Sequence, residues 1–177
     1  FFKWASANDS CERTMLAKCV AVLRTDPEVV LCYGRTCLID AEGNELALYD
    51  KDPDVMEARP SDRLISVRTK MSMNNAQCGL IRLDALRNTR LDRLYPGGDL
   101  TLMAELAMRG KFRLLPDVLL YRRITEGAAS RLLSERELRA FVDPNSSGRG
   151  FTTWRRHADS IWSVLRTPLD SKEKWAA

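Results

Sequence analysis

The opening run Phe1-Phe2-Lys3-Trp4-Ala5-Ser6-Ala7-Asn8-Asp9-Ser10 constrains the fold most: a strand-like apolar segment ends in a carboxylate, and helical spacing follows within a few residues. An open α/β sheet presents carboxylates this way, at the carboxyl edge where such sheets bind ligands. Acidic residues after strands also serve as turn and N-cap residues, so the pattern needs agreement from the rest of the chain. Neither an initiator Met nor a polar lead-in precedes Phe1. The expectation is a chain that starts inside a fold, as a fragment of a longer gene product.

Downstream, strands and helices alternate. Met15, Leu16, Cys19, Val20 and Leu23 recur at helical spacing, and Asp26-Pro27 stops that helix. Val29 to Tyr33 is a buried-strand run that continues through Cys37-Leu38-Ile39. It turns at Gly43 and returns through Leu46 to Tyr49, a β-hairpin. Residues 50–60 are polar, hold two prolines and read as a mobile loop. Ser61 then caps a helix to about Lys70. Cys78 to Ile81 predicts a short strand and Asp84 to Asn88 a short helix. The turn Tyr95-Pro96-Gly97-Gly98 opens onto a helix from Asp99 to Arg109, ended by Gly110. Phe112–Leu115 and Val118–Tyr121 read as two strands around a Pro116-Asp117 turn. Ser134 to Glu137 is a capping-box pattern, and Asp143 to Gly150 a loop. The last helix puts Trp154, Ala158, Ile161, Trp162 and Leu165 on one stripe, which reads as an anchor packed on the sheet. The class is α/β with a helical C-terminal extension, divided at about residue 130 into 1–130 and 131–177.

With 177 residues, 45% hydrophobic and 29% charged, the chain can bury a real core. Its net charge of +4 comes from arginines spread along the length rather than blocked, so nucleic acid is not expected as a partner. The five cysteines form no C-x-x-C pair and several lie in apolar runs, which predicts reduced core residues and a cytoplasmic protein. No apolar stretch approaches the ~20 residues that a spanning helix needs.

A second carboxylate, Asp99, starts a helix after the Gly-Gly turn, with Leu102, Met103 and Leu106 following on its face. A carboxylate there either caps its own helix or faces a cleft as a base, and spacing does not choose between the two.

The ordered set Phe2-Lys3-Trp4-Ala5…Asn8-Asp9, Val30 to Tyr33…Ile39-Asp40-x-x-Gly43, Gly79-Leu80-Ile81-Arg82-x-x-Ala85-Leu86, Gly98-Asp99…Ala104-Glu105-Leu106…Gly110-Lys111-Phe112 and Leu120-Tyr121-Arg122-Arg123 resembles the family 2 glycosyltransferases of the GT-A fold. The resemblance covers nearly the whole chain. It implies a GT-A-like (Rossmann-like) mixed sheet flanked by helices and lacking its N-terminal nucleotide-binding strands. The implied activity is inverting transfer of a sugar from a nucleotide-diphosphate sugar to a hydroxyl on a saccharide, lipid-linked or other acceptor, assisted by Mg²⁺ or Mn²⁺. The implied setting is polysaccharide assembly in the cytoplasm or at the inner face of the membrane.

By the same resemblance Asp9 is the metal ligand, Asn8 a donor-ribose contact and Asp99 the catalytic base. Gly98 stands where relatives often carry Glu. Arg122 and Arg123 are candidates for the donor diphosphate, and Asn74 and Asn75 for the acceptor side; read alone, these are also ordinary strand-end charges and turn residues. Two features depart from the family. Thr125-Glu126 follow Ile124 where many relatives place a His, and the single His, His157, lies on the terminal helix. The Gln-x-x-Arg-Trp motif of processive synthases is absent, which points to addition of single sugars. The competing expectation is a non-catalytic GT-A remnant that binds a partner through its Trp-rich terminal helix.

Overall fold

The computed structural model describes residues 1–124, 137–138 and 152–176. Among these, one mixed sheet runs through the centre, with helices against both faces. Its middle is a parallel pair, β2 (Val29–Ile39) beside β5 (Lys111–Arg123). Strand β3 (Glu45–Tyr49) returns antiparallel on the outer side of β2, and β1 (Ser10–Cys11) lies antiparallel on the outer side of β5. The two-residue β4 (Leu80–Ile81) pairs with the start of β2. This α/β arrangement is compatible with a Rossmann-like fold.

Alternation along β2 decides the layers. Leu31 and Tyr33 enter a core completed by helices α2 (Pro60–Lys70), α3 (Leu83–Arg87) and α4 (Gly98–Arg109), through Val67, Leu86, Leu102, Met103 and Leu106. Cys32 faces the other way and packs on α1 (Met15–Thr25), through Met15, Cys19 and Leu23. The apolar spacing of α1 and α4 thus translates directly into buried faces. Cys19, Cys32 and Cys37 are buried, and all five thiols are free.

Five local expectations are corrected. The two strands around Pro116-Asp117 are one strand, because the pair is accommodated as a bulge: Gly34 faces Leu115, and the next residue, Arg35, faces Val118. A bulge tolerates proline, since its residues owe no ladder hydrogen bond. Of the opening run, Phe2 makes only an isolated antiparallel bridge, to Ile81, and Ser10 alone enters a strand, β1; the Cys78 strand starts at Leu80, after a 3₁₀ turn over Asn75–Cys78. Helix α2 is capped at Arg59 with Pro60 in its first position, where a missing N–H costs nothing, so Ser61 is not its cap. The polar segment 50–60 is tied down: Val55 is fully buried and exchanges backbone hydrogen bonds with Phe112, and the Tyr33 hydroxyl donates to the Pro53 carbonyl.

The terminal helix, α5 (Thr152–Arg166), does not pack its apolar stripe on the sheet. Trp154, Ile161, Trp162 and Leu165 are each more than half exposed. The opposite face docks on α4. Arg90, Glu105, Asp159 and Ser163 form a buried network there, with Arg90 Nε 3.2 Å from Glu105 Oε1 and Arg90 Nη1 2.9 Å from Asp159 Oδ1. A short helix, α6 (Ser171–Ala176), follows and ties back to α2 through Glu173, which accepts from Arg59 Nε and the Ser61 amide. The Ser134 capping box (Glu137 itself is helical), Thr125-Glu126, the 143–150 loop and the expected division at residue 130 fall outside the described residues. Among those described, no helix is long and apolar enough to cross a membrane.

Candidate functional site

The 3₁₀ turn Asn75–Cys78 and the residue before it, Asn74, form the hub at which most of the expected site residues meet. Each amide there is oriented by its neighbours. Asn74 Nδ2 donates to Asp99 Oδ2 at 2.9 Å, so the amide nitrogen must face the carboxylate. Asn75 Nδ2 donates to Asp52 Oδ1 at 2.9 Å, and its Oδ1 accepts from Arg122 Nη1 at 2.6 Å.

Asp99 is positioned by the turn ahead of α4. Gly97 has φ of 86°, the left-handed region that favours glycine. At Gly98 a Cβ would come within 2.2 Å of the Arg93 carbonyl oxygen. That close approach excludes any side chain at this position and sets the first turn of α4 against the Arg93 backbone. Among the described residues no N–H of its own helix donates to the Asp99 carboxylate; its single hydrogen bond comes from Asn74, and Oδ1 is left unbonded. Spacing left capping and cleft-facing open, and the capping bond is not made. Asp92 lies near enough for the two carboxylates to sense each other: burial, and then the Asp99 charge, push the Asp92 carboxyl up.

Arg122 and Arg123 project to opposite faces of β5, as successive strand residues must. Arg122 turns toward the hub. Arg123 turns away and spends its guanidinium on the backbone carbonyls of Asn8, Asp40 and Ala41, while its amide donates to Asp9 Oδ1 at 2.9 Å. The expected donor contact Asn8 is exposed, and its carbonyl serves this clamp. Asp9, half-buried, keeps Oδ2 without a hydrogen bond among the described residues. Cys78 links the two sides of the hub: burial raises its thiol, and the charges of Lys3, Asp9 and Arg122 all reach it.

A divalent cation shared with a diphosphate takes one or two protein carboxylates and completes its shell with phosphate oxygens and water. One open oxygen on Asp9 is a donor of the kind that such a substrate-completed site uses. Among the described residues no group of three or more His, Cys, Asp or Glu side chains forms an all-protein cage.

Asp52 and Thr36 went unnoticed in the sequence. Thr36 Oγ1 donates to Asp52 Oδ2 at 2.7 Å, and Asp52 in turn holds Asn75. Burial raises the Asp52 carboxyl, against the lowering effect of those two hydrogen bonds and of the Arg122 charge. The available signal was Val55, an apolar residue in a polar stretch, which marks the segment as pinned. The Asn74 Oδ1 is buried without a donor, the kind of orphan acceptor that a ligand hydroxyl satisfies. No protein-family model matches this sequence, and no curated protein shows significant similarity to it.

Proposed function

We propose that this chain is the metal- and acceptor-side part of an inverting GT-A glycosyltransferase that moves a sugar from a nucleotide-diphosphate donor to an acceptor hydroxyl. The observation that carries the reading is the hub at residues 74–78, where one asparagine, Asn74, holds a non-capping carboxylate on a glycine-built turn and the next, Asn75, holds an oriented arginine.

In this reading Asn74 holds Asp99 Oδ2, which leaves Oδ1 to accept a hydrogen bond from the acceptor hydroxyl. The hydroxyl oxygen attacks the anomeric carbon from the face opposite the diphosphate. The bond from that carbon to the phosphate oxygen breaks, its electron pair leaves with the nucleoside diphosphate, and the proton moves to Asp99. Arg122, aimed by Asn75 and Asp52, meets the negative charge that develops on the diphosphate. Asp9 would hold Mg²⁺ or Mn²⁺, which when bound neutralises the leaving group. Arg123 keeps the Asn8-Asp9 segment in place, a positioning role.

The test is nucleotide release from UDP-, GDP- and dTDP-sugars with Mn²⁺, by the protein as its gene encodes it. Asp99→Asn is expected to lower turnover by about 10²- to 10⁴-fold with donor binding kept. Asp9→Ala is expected to remove the metal dependence. No turnover with any donor, together with no metal-dependent nucleotide binding, would overturn the proposal.

A further inference from the structure

Helix α5 is amphipathic in the inverted sense. Its polar face is turned inward: Asp159 and Ser163 join the buried network with Arg90 and Glu105, and Thr167, just past the helix end, hydrogen-bonds Arg109. Its apolar stripe, Trp154, Ala158, Ile161, Trp162 and Leu165, is turned to solvent. Trp154 is 73% exposed, and Trp175 on α6 is 92% exposed. Apolar patches of this size rimmed by polar residues mark interaction surfaces.

The rim identifies the occupant. Arg166 and Lys172 are exposed near the stripe, and so is Arg155, although its guanidinium lies over the Tyr95 ring. A shallow groove lined by Ile161, Leu165, Arg68 and Lys174 continues it toward α2 and α6. Among the described residues, the acidic ones of the region are engaged elsewhere: Asp159 is held by Arg90, Glu173 by Arg59 and the Ser61 amide, and Asp170 accepts the Glu173 amide. A second copy docked face to face would bring two cationic rims together, which opposes association. An anionic lipid surface supplies the countercharge, and tryptophans favour the headgroup level beside a basic rim.

We infer that the outward face of α5, with Trp175 of α6, seats on an anionic lipid surface, α5 lying in the plane of the interface. On another face of α5 the Arg156 side chain packs beside Gly97, in the turn that starts the helix carrying Asp99. Lipid binding needs no nucleotide sugar, so it stands or falls apart from the transferase reading.

The experiment is co-sedimentation of the full protein with vesicles of phosphatidylcholine alone or mixed with phosphatidylglycerol, with tryptophan emission read in parallel. Binding is expected only to the mixed vesicles, weakened by salt, with a blue shift and quenching by brominated lipid. Trp154→Ser with Trp162→Ser should lower partitioning by about tenfold or more. Arg166→Glu with Lys172→Glu should lower it several-fold while the apolar face stays intact. All four side chains are exposed, so thermal midpoints should stay near wild type. Equal binding by wild type and both variants would overturn the inference. So would no vesicle binding by a protein that stays monomeric in sedimentation velocity, or self-association that the tryptophan variant abolishes.

Discussion

Helix α4 turns Leu102, Met103 and Leu106 into the core, while α5, packed directly on it, turns Trp154, Ile161 and Trp162 out. The two are held by different physics. Apolar area removed from water stabilises α4, and each such side chain contributes about 1.5–3 kcal/mol. Helix α5 makes only a small apolar contact, Val164 against Leu64, Ala104 and Met108, and is held chiefly by a buried polar network, Arg90 with Glu105 and Asp159, which is secure only while every member keeps its partners. An apolar stripe therefore says that a helix has something to cover, and says nothing of whether its own domain is the cover.

The contrast can be broken hardest at Arg90. Arg90→Ala leaves Glu105 (its side chain 4% exposed) without its cation and Asp159 with only the longer contact to Arg93, at 3.8 Å, and should cost about 3–5 kcal/mol. Urea unfolding reads the loss, and hydrogen exchange should rise in α5 before α4; equal exchange in both would mean that the network does not hold α5. A smaller effect sharpens the same comparison from the apolar side. Leu106→Ala should cost about 3 kcal/mol through the cavity it leaves, whereas Trp162→Ser should change stability by less than about 0.5 kcal/mol. A large cost at Trp162 would show that its face is covered. The smallest effect is a local acid transition. Its hydrogen bond with Arg59, and then that with the Ser61 amide, hold the Glu173 carboxyl at about 2. A lowered carboxylate stabilises the folded state above the ordinary carboxylate range and loses that contribution as pH falls toward 2. Trp175 emission should therefore change between about pH 4.5 and 2, ahead of global unfolding. Glu173→Gln should remove that step.

The helices were readable because 3.6-residue spacing reports burial directly: Cys19 and Leu23 on α1, and Leu102 and Leu106 on α4, are all buried. The hairpin at Gly43 was readable for a similar local reason, its φ of 98° being one that glycine favours. Long-range pairing was not readable. Pro116-Asp117 has every mark of a turn, and only the ladder with Gly34 and Arg35 makes it a bulge. In the candidate site, Asp99 and Asn74 could be named singly, but no spacing rule joins residues 52, 75 and 122. The polarity that marks 50–60 as a loop is the polarity that lets Asp52 hold Asn75. The direction of the α5 stripe was read backwards, because the polar network that fixes it uses Arg90 and Glu105 from distant parts of the chain.

The parallel pairing of β2 with β5 also dictates an order of events. Val29 lies opposite Lys111, and α2, α3 and α4 all fall between them in the chain. Local contacts within α1, α2, α4 and the β2–β3 hairpin can form at once, but the centre of the sheet cannot close until β5 has left the ribosome. Until then β2 is paired on the hairpin side and open on the side that β5 will occupy, with a run of Val, Leu and Cys beside that open edge. Slow refolding, and aggregation that grows with concentration during synthesis, are the expected kinetic cost of placing the longest strand after the other described strands of the sheet.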